Sequence, residues 1–482
     1  MTSTESTTGT TGESGAPELR RVLGPKLLLL FIVGDMLGTG IYALTGRVAE
    51  EVGGAVWLPF LVAFAIAVIT AFAYLELVTK YPKAGGAASF VHRAFDLHFL
   101  TFLVTFAVMA SGITSASTAA KAFASNLAAG LDLDWGPESI QVLGIAVAFM
   151  LVLALINFRG VSESVKLNVV LTLVELSGLL LIIFVGLWAV LGFSDAEVDL
   201  SRAVMFDSAG DKNAFLAVTA ATSLAFFAMV GFEDSVNMAE EVKNPSKIFP
   251  KVMLTGLGFT IAIYLLVSLT SVALVPIGEL GEGETPLLTV VERGAPNLPI
   301  DTFYPFIAMF AVANTALINM LMASRLLYGM AHQGVLPKPL GMVHRGRRTP
   351  WMAIVVTTLF AVALILVVGG ISELGGTTAL LLLAVFTVVN AAVLVLRRDP
   401  VDHDHFRAPT WVPVVGVLTC AYMVGPWTGR AVVQYQIAGW VLGVGVLLWA
   451  VTWFLNRALY ARPTRIKDPH DLADSDELHR RS

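Results

Sequence analysis

The stretch GDMLGTGIYALTG, residues Gly34 to Gly46, decides how the fold of this chain is interpreted. It places four glycines and the carboxylate of Asp35 inside an apolar segment that is long enough to cross a membrane. A glycine in a helix interior costs roughly 1 kcal/mol relative to alanine, and a charge at the bilayer centre costs at least ~2.5 kcal/mol. The stretch therefore predicts a membrane helix that is interrupted at 38–40, beside an ionisable group.

The composition places the chain in a membrane. Of the 482 residues, 56% are hydrophobic and 14% are charged, whereas a soluble domain carries about 25% charged residues. The net charge of -5 comes without a basic cluster, which argues against a nucleic-acid partner. The single cysteine, Cys420, lies in an apolar run, so we expect neither an internal disulfide nor a covalently attached partner subunit.

Twelve apolar segments are long enough to span the bilayer, which requires about 20 residues each. They lie near 27–49, 55–79, 98–128, 139–157, 167–192, 213–239, 251–275, 302–330, 352–370, 377–396, 411–428 and 434–456. The pattern predicts an all-α integral membrane protein with twelve transmembrane helices.

The loop charges predict the orientation of these helices. Most of the 31 Lys and Arg residues fall on the side that holds the N-terminus, and cytoplasmic loops carry such an excess. We therefore expect a multi-pass protein of the plasma membrane of a prokaryote-like cell, with both termini in the cytoplasm. Residues 1–23, rich in Thr, Ser, Gly and Glu, read as a disordered tail without signal-peptide features. Residues 457–482 form a second cytoplasmic tail.

A second weak point lies five spans later, in the sixth segment. Gly231 stands in mid-membrane there, followed by Glu233 and Asp234. Breaks at corresponding places in two halves predict a five-plus-five inverted repeat with a binding site at the midplane. The permease domain would cover 24–456, with repeats at 24–195 and 210–398 and two extra helices within 409–456.

The two breaks together suit a zwitterion. If the first helix stops at Gly38, Thr39 and Gly40, the outer half begins with free N–H groups that attract a carboxylate. Free carbonyls near Met36, and from Ala228 to Val230 in the sixth helix, would attract an ammonium group. The alternative is that these glycines only let helices pack closely. Their matching positions, each beside an ionisable residue, favour the site.

Three motifs resemble the amino acid–polyamine–organocation (APC) superfamily of transporters, closest to its cationic amino acid transporter branch. They are GDMLGTGIY at 34–42, YLELVTKYPKAGGAASFV at 74–91 and FFAMVGFEDSVNMAEEVKNPSKIFP at 226–250. The resemblance covers about 24–456. It implies the LeuT-like fold with helices 1 and 6 broken, and transport by alternating access.

The resemblance also implies roles for individual residues. The substrate carboxylate would meet the backbone of Thr39, Gly40 and Ile41. The amino group would meet the carbonyls of Met36, Phe227 and Val230, and Glu233 would contribute to substrate selection or proton sensing. Phe227 would close over the substrate as an outer gate together with Tyr42. Glu76 and Arg325, near the inner ends of spans two and eight, fit an inner-gate region.

One departure concerns coupling. Many proton-coupled relatives have a lysine in the fifth helix that stands in for a sodium ion, whereas NVVLTLVE puts Glu175 there. A glutamate cannot act as that cation, but it could bind a proton or a cation. Asp35 and Glu175 are therefore candidates for a proton relay. The alternatives are that Asp35 accepts hydrogen bonds from freed N–H groups, that Glu175 pairs with a buried hydroxyl or Arg325, and that Asp234 caps a half-helix.

The resulting prediction is secondary active uptake of an amino acid, with H⁺ as the coupling ion and Na⁺ as the alternative. A polyamine or organic cation transporter, or an amino acid exchanger, remains open. The eight histidines lie in loops, tails or span ends, and no HExxH or GxxxxGK[ST] motif occurs, so we expect no enzyme, catalytic residue, cofactor or metal. The pocket wall would come from helices three, eight and ten, with small or polar residues such as Ser111, Gly112, Ala313 and Asn314.

Overall fold

A computed structural model describes residues 24–82, 86–159, 161–207, 212–344, 346–347 and 349–459. The predicted tail at 1–23, and all but the beginning of the tail predicted at 457–482, lie outside these residues. The described part is helical, with sixteen α-helices. In chain order they are α1 (Pro25–Met36), α2 (Thr39–Val52), α3 (Trp57–Lys80), α4 (Gly86–Phe95), α5 (His98–Gly130), α6 (Ile140–Arg159), α7 (Val161–Val190), α8 (Ala214–Ala225), α9 (Pro245–Leu274), α10 (Ile277–Gly281), α11 (Pro286–Gly294), α12 (Ile300–His332), α13 (Trp351–Val367), α14 (Ile371–Leu396), α15 (Trp411–Val424) and α16 (Val432–Leu459).

Ten stretches of the described chain are long and apolar enough to cross a membrane. Two of them, Pro25–Val52 and Ala214–Ala239, run across a helix interruption. The ninth and eleventh predicted segments coincide with α13 and α15, which have 17 and 14 residues and fall short of the about 20 that a perpendicular span needs. The chain is thus an all-helical, multi-pass membrane protein.

Three short helices lie outside the predicted segments. The ten-residue α4 connects the second and third spans, and α10 and α11 follow the seventh. A helix of ten residues or fewer offers too few turns for a clear apolar period. Pro286 begins α11, and proline is favoured at a first helical position because its missing N–H is not needed there.

The interrupted spans lie in the interior of the bundle. The most apolar part of Pro25–Val52 is 78% buried, as is that of α5, whereas α6 and α16 reach only 28%. The 33-residue helices α5 and α12 pack on each other most extensively, α1 packs on α7 and α9, and α2 packs on α8. The inner helices therefore surround the two breaks, while α6 and α16 form the periphery.

Candidate functional site

The first interruption separates α1 from α2. The helix ends at Met36 and resumes at Thr39, with Leu37 and Gly38 between the two halves. Gly38 is extended (φ -63°, ψ -153°) and provides no side-chain cap for α2. The N–H of Thr39 instead donates to Oγ1 of Thr315 on α12, at 3.2 Å. The first N–H groups of a helix need such outside acceptors, and here one of them is a neutral hydroxyl.

The second interruption follows α8. A 3₁₀ turn at Phe226–Met229 leads to extended Val230, then to Gly231 at φ +123°, and a further 3₁₀ segment covers Asp234–Glu241. A positive φ of this size is essentially restricted to glycine. The N–H of Gly231 donates to Oε2 of Glu233 at 2.9 Å. No side chain caps the Asp234–Glu241 segment, so the cap that the sequence suggests for Asp234 is not made. The side chain of Glu233 instead reaches back to the N–H at the break.

The glycines of the two breaks lie where the two chain segments meet. A Cβ added to Gly40 would lie 2.5 Å from Cα of Ala228, and one added to Gly231 would lie 2.8 Å from the carbonyl oxygen of Asp35. A Cβ on Gly34 would meet Oγ1 of Thr172 at 2.1 Å. The close-packing role that the sequence left as an alternative is therefore present, and it brings the two breaks together.

Two small cavities lie at this meeting point, each of about 20 Å³. The first is lined by Asp35, Met36, Gly38, Thr39, Gly40, Ser115, Phe227, Val230, Gly231, Asp234, Thr315 and Asn319. The second is lined by Val108, Ser111, Gly112, Val230, Glu233, Asp234, Asn319, Met322, Ala323, Leu326, Thr378 and Leu382. Each volume suffices for about one water molecule, so this conformation is closed around the breaks.

Most of the predicted substrate residues line these cavities. Seven of the nine do so: Met36, Gly38, Thr39, Gly40, Phe227 and Val230 at the first cavity, and Glu233 at the second. Asp35, predicted for the proton relay, also lines the first cavity. Ile41 and Ala228 are buried beside the cavities without lining them. Tyr42 points elsewhere, since its hydroxyl donates to the backbone oxygen of Glu175 at 2.7 Å.

Four further residues belong to the site that the sequence did not assign to it: Ser115, Asp234, Thr315 and Asn319. Thr315 and Asn319 are one turn apart on α12, and Nδ2 of Asn319 donates to the carbonyl of Thr315 at 2.9 Å. A spacing of four puts both side chains on one helix face. That spacing was visible in the sequence, but the rotation of the helix toward the breaks was not. The walls do come from the third, eighth and tenth predicted spans.

The carbonyl of Met36, expected to receive an ammonium group, already accepts a hydrogen bond from the hydroxyl of Tyr264 on α9. A carbonyl has two lone pairs, so a second donor can still bind. Phe227 is 5% exposed and lies next to Gly375 of α14, which Leu44 of α2 also approaches. Phe227, the expected outer gate, thus lies at the edge of the first cavity, where α2 and α14 converge.

A larger cavity of about 380 Å³, which we call the charged cavity, is lined by residues of α2, α8 and the segment before α16. Its charged lining residues are Arg47, Glu50, Glu51, Lys212, Glu373 and Arg430. Lys212 pairs with Glu51 at 2.6 Å and Arg47 with Glu50 at 2.9 Å. Burial lowers the pKa of Arg430 to about 10. Its guanidinium donates to the carbonyl of Gly376 at 2.6 Å.

Two carboxyl groups beside the breaks are buried and under-satisfied. Asp35 is 6% exposed and Glu175 is 0% exposed, and each has one oxygen without a hydrogen-bond partner among the described residues. The other oxygen of Glu175 accepts only a long bond, 3.4 Å, from Nδ2 of Asn314. The same Asn314 amide also lies 3.3 Å from the carbonyl of Gly34. The partner of Glu175 is therefore an amide, and neither Arg325 nor a hydroxyl bonds its side chain in the described part.

Glu76 is buried as well, but it is fully partnered. Arg397 donates from Nε and Nη2 to its two oxygens, both at 2.7 Å, and the N–H of Ala408 adds a bond at 2.9 Å. Beside it, the hydroxyl of Tyr81 donates to Asp399 at 2.7 Å, which holds the pKa of that carboxyl below its ordinary value. We call Glu76, Tyr81, Arg397 and Asp399 the Glu76 clasp; it joins the end of α3 to the end of α14.

Arg325 does not take part in this clasp. It lies exposed on α12, and the ion pairs found in the described ranges do not include it. The sequence placed Glu76 and Arg325 in one inner-gate region because both lie near the same ends of their spans. The cation that Glu76 binds is Arg397, which follows α14.

Sequence comparisons identify the family. The family model described as amino acid permease matches residues 23–454. The chain therefore belongs to the amino acid permease family, within the APC superfamily, and is a membrane transporter of amino acid permease type rather than an enzyme.

Several curated relatives cover nearly the same length. The methylthioribose transporter of Bacillus subtilis is 29% identical over 93% of this chain and 95% of its own length. The branched-chain amino acid permease BcaP of the same organism is 25% identical over 93% and 95%. Cationic amino acid transporter 9, chloroplastic, of Arabidopsis thaliana is 29% identical over 70% of this chain and 60% of its own length.

Proposed function

We propose that this permease takes up an α-amino acid across the plasma membrane by proton-coupled alternating access. Its helices would form twelve spans, arranged as a LeuT-like pair of inverted five-helix repeats followed by two further helices. The positive-inside bias of the loops supports cytoplasmic termini. The two short helices α13 and α15 would serve as the ninth and eleventh spans, and hydrophobic mismatch of this kind is accommodated by local thinning of the bilayer.

One observation carries the proposal: the two helix interruptions face each other across the first of the two small cavities. On one side the N–H of Thr39 begins a half-helix, and on the other Val230 is extended, so its carbonyl is outside regular helix. A carboxylate can replace the hydroxyl of Thr315 at the Thr39 N–H, where the half-helix dipole favours a negative charge. An ammonium group can bind the carbonyls of Val230 and Met36, near the carboxyls of Asp35 and Asp234.

The charge balance of the site supports a substrate with a cationic group or a coupled proton. Asp35, Glu175, Glu233 and Asp234 are close to the breaks, and none of the ion pairs in the described ranges involves them. A buried charge is expensive unless a partner offsets it. A proton or an ammonium group offsets it here, whereas a purely anionic cargo would add to it.

Glu175 is the proposed proton carrier. Asn314 links its carboxyl to the carbonyl of Gly34, one turn before the first break. Binding of a proton removes the charge to which the Asn314 amide donates, and release restores it. The hydrogen bond from Asn314 to the carbonyl of Gly34 can thereby respond to the protonation state of Glu175. Carboxyl, carbonyl and Thr172 hydroxyl oxygens would also suit Na⁺, which is the alternative coupling ion.

Access would alternate through the two ends of this closed structure. Separation of Phe227 from Gly375 and Leu44 would open the cavity toward the charged cavity. Opening of the Glu76 clasp would release the opposite end. In this scheme spans 1, 2, 6 and 7 rock against the rest, as in related inverted-repeat transporters.

The test uses purified protein in liposomes with an imposed inward proton gradient, and follows uptake of labelled branched-chain and cationic amino acids, putrescine and methylthioribose. We expect gradient-driven uptake of an amino acid. Glu175→Gln should abolish that uptake while exchange of internal for external amino acid continues. A matched control is Glu197→Gln, because that side chain is 91% exposed.

Three outcomes would contradict parts of the proposal. Uptake that is driven only by a sodium gradient would show that the coupling ion is Na⁺ and not H⁺. Exchange without net uptake in the wild type would identify an exchanger. Uptake of putrescine or of the uncharged methylthioribose alone would overturn the amino acid assignment, because neither cargo has a carboxylate for the Thr39 N–H.

A further inference from the structure

The corner between α4 and α5 holds a cluster of metal-ligand side chains that the transport scheme does not use. The sequence there reads HRAFDLH, residues His92 to His98. One ligand atom each of His92, Asp96 and His98 lies within 4.8 Å of the others. This is the one such group of His, Cys, Asp and Glu among the residues that the structure describes.

The backbone of the corner brings the three side chains together. α4 ends at Phe95, and Asp96 then adopts a left-handed conformation, φ +50°, while its N–H donates to the carbonyl of His92 at 2.8 Å. After Leu97, α5 begins at His98. The imidazole rings of His92 and His98 consequently lie 5.3 Å apart, with an angle of 32° between their planes.

The donor set has the chemistry of a transition-metal site. Two imidazoles and one carboxylate bind Zn²⁺ and its neighbours in the first transition row, whereas Mg²⁺ and Ca²⁺ prefer oxygen ligands alone. Zn²⁺ holds its ligand atoms about 3.4 Å apart, so the three side chains would need to approach by at most about 1.4 Å. Side-chain rotation at the exposed Asp96 can supply much of this movement.

Two neighbouring contacts suit a metal at this corner: one fixes a nitrogen of His92, and the other pairs the adjacent cation Arg93 with a carboxylate other than Asp96. Nδ1 of His92 lies 3.3 Å from Oγ1 of Thr101, whose own hydroxyl donates to the carbonyl of Leu97. Thr101 can then accept a hydrogen bond from Nδ1–H of His92. In this tautomer Nε2 of His92 keeps its lone pair and can bind the metal. Metal-binding histidines usually make such a second bond. The adjacent cation, Arg93, pairs with Asp399 at 3.2 Å and stacks on Tyr81.

We propose that His92, Asp96 and His98 form a binding site for a divalent transition-metal ion of the Zn²⁺ class. A water molecule would complete the coordination. Nothing in this assignment depends on which substrate the permease carries.

The position of the site gives the metal a mechanical consequence. α4 contacts α14 and the segment after the second break, where a Cβ on Gly86 would lie 2.4 Å from Oδ1 of Asn237. α5 contributes Ser115 to the cavity wall. A metal that joins the end of α4 to the start of α5 would resist relative movement of these parts. Saturating Zn²⁺ should therefore slow transport.

Metal binding is tested directly on full-length protein that carries no polyhistidine tag. Co²⁺ is titrated into the detergent-purified protein, and the visible d–d absorption of four-coordinate Co²⁺ is recorded, followed by displacement with Zn²⁺. We expect one Co²⁺ per chain. His92→Ala, His98→Ala and Asp96→Asn should each weaken binding more than about tenfold, since even loss of an outer-shell partner costs about 10- to 100-fold.

The control and a folding check keep the result interpretable. Asn tolerates positive φ as Asp does, so Asp96→Asn should retain the corner and the thermal unfolding midpoint of the wild type in EDTA. Zn²⁺ should raise that midpoint for the wild type and not for the variant, because a ligand stabilises the state it binds. The double variant His403→Ala with His405→Ala removes another close histidine pair, 6.3 Å between ring centroids, and should leave the Co²⁺ spectrum unchanged.

Two results would overturn the site. One is the absence of a saturable Co²⁺ spectrum and of a Zn²⁺-induced shift in the wild type. The other is a spectrum that persists in all three single variants and disappears when His403 and His405 are replaced. Binding at the corner without any effect of Zn²⁺ on uptake would retain the site and remove the mechanical consequence.

Discussion

Glu76 and Glu175 are both buried glutamates, 2% and 0% exposed, yet their surroundings differ sharply. Glu76 receives three hydrogen bonds of 2.9 Å or less, two of them from the guanidinium of Arg397. Glu175 receives one bond of 3.4 Å from an amide, and its other oxygen has no partner in the described part.

The difference separates a carboxyl whose hydrogen-bonding capacity is filled in this closed structure from one that keeps capacity for a further ligand. Nearly all buried polar groups in proteins are hydrogen-bonded, so an exception requires an explanation. The Glu76 clasp is saturated and holds α3 to α14. The carboxyls beside the breaks retain capacity for a proton or a cation, which is what a transport site must bind and release.

Removing the charge at each glutamate tests this comparison most strongly. Glu76→Gln leaves Arg397 buried without its anion, and the free energy of unfolding should fall by about 3–5 kcal/mol. Glu175→Gln should change it by less than about 1 kcal/mol, the scale of one hydrogen bond. Denaturation in mixed micelles measures both. The exposed pair of Glu50 and Arg47 supplies the control, Glu50→Gln, which we expect to lose at most about 1 kcal/mol. If both variants lost the same free energy of unfolding, the two glutamates would not differ in their contribution to stability.

A methyl group at the meeting point of the two breaks should have a smaller effect on stability and a large one on transport. In Gly40→Ala the new Cβ would meet Cα of Ala228 at 2.5 Å. Overpacking costs about 1–3 kcal/mol, and we expect the uptake rate to fall at least about tenfold. Gly258→Ala on α9 is the control, because nothing lies within 4 Å of its added Cβ. If Gly40→Ala took up substrate at the wild-type rate, the close contact between the two breaks would not limit transport.

The smallest expected effect concerns the hydroxyl of Thr315, which accepts the hydrogen bond from the N–H of Thr39. Thr315→Val removes it at nearly constant volume, so a substrate carboxylate no longer competes with it. A net hydrogen bond is worth about 1 kcal/mol, which corresponds to a KM about fivefold lower in liposome uptake. Thr357→Val is the control, since that hydroxyl donates within its own helix, at 2.9 Å to Ala353. An increase in KM would instead identify Thr315 as a direct ligand of the substrate.

Some of the site could be predicted from sequence because the signal is local. Gly38 and Gly231 interrupt apolar runs, and backbone freedom of this kind is a property of the residue itself. Their cavity-lining neighbours Met36, Thr39 and Val230 follow by adjacency. The proposed metal site at HRAFDLH is equally local. The expectation of no metal, which only the Co²⁺ titration will test, rested on the absence of familiar motifs and of histidines in mid-membrane.

The rest depended on contacts between distant segments. Tyr42 lies two residues after Gly40, but the rotation of α2 directs its hydroxyl to the backbone of Glu175. Glu76 meets Arg397 across 321 positions in the chain. Arg325 lies near the same end of the bundle, yet the side of α12 on which it lies is exposed.

The sequence by itself determined that the chain spans a membrane, which two spans are interrupted, and where. Composition, apolar run length and glycine position suffice for this, because a bilayer demands helices and a helix is weakened where glycines interrupt it. Only the tertiary structure decided which carboxyls have partners, which hydroxyl meets the Thr39 N–H, and which helix faces form the cavity. These depend on the rotation and the pairing of helices, which the packing of the whole bundle sets and no single segment encodes.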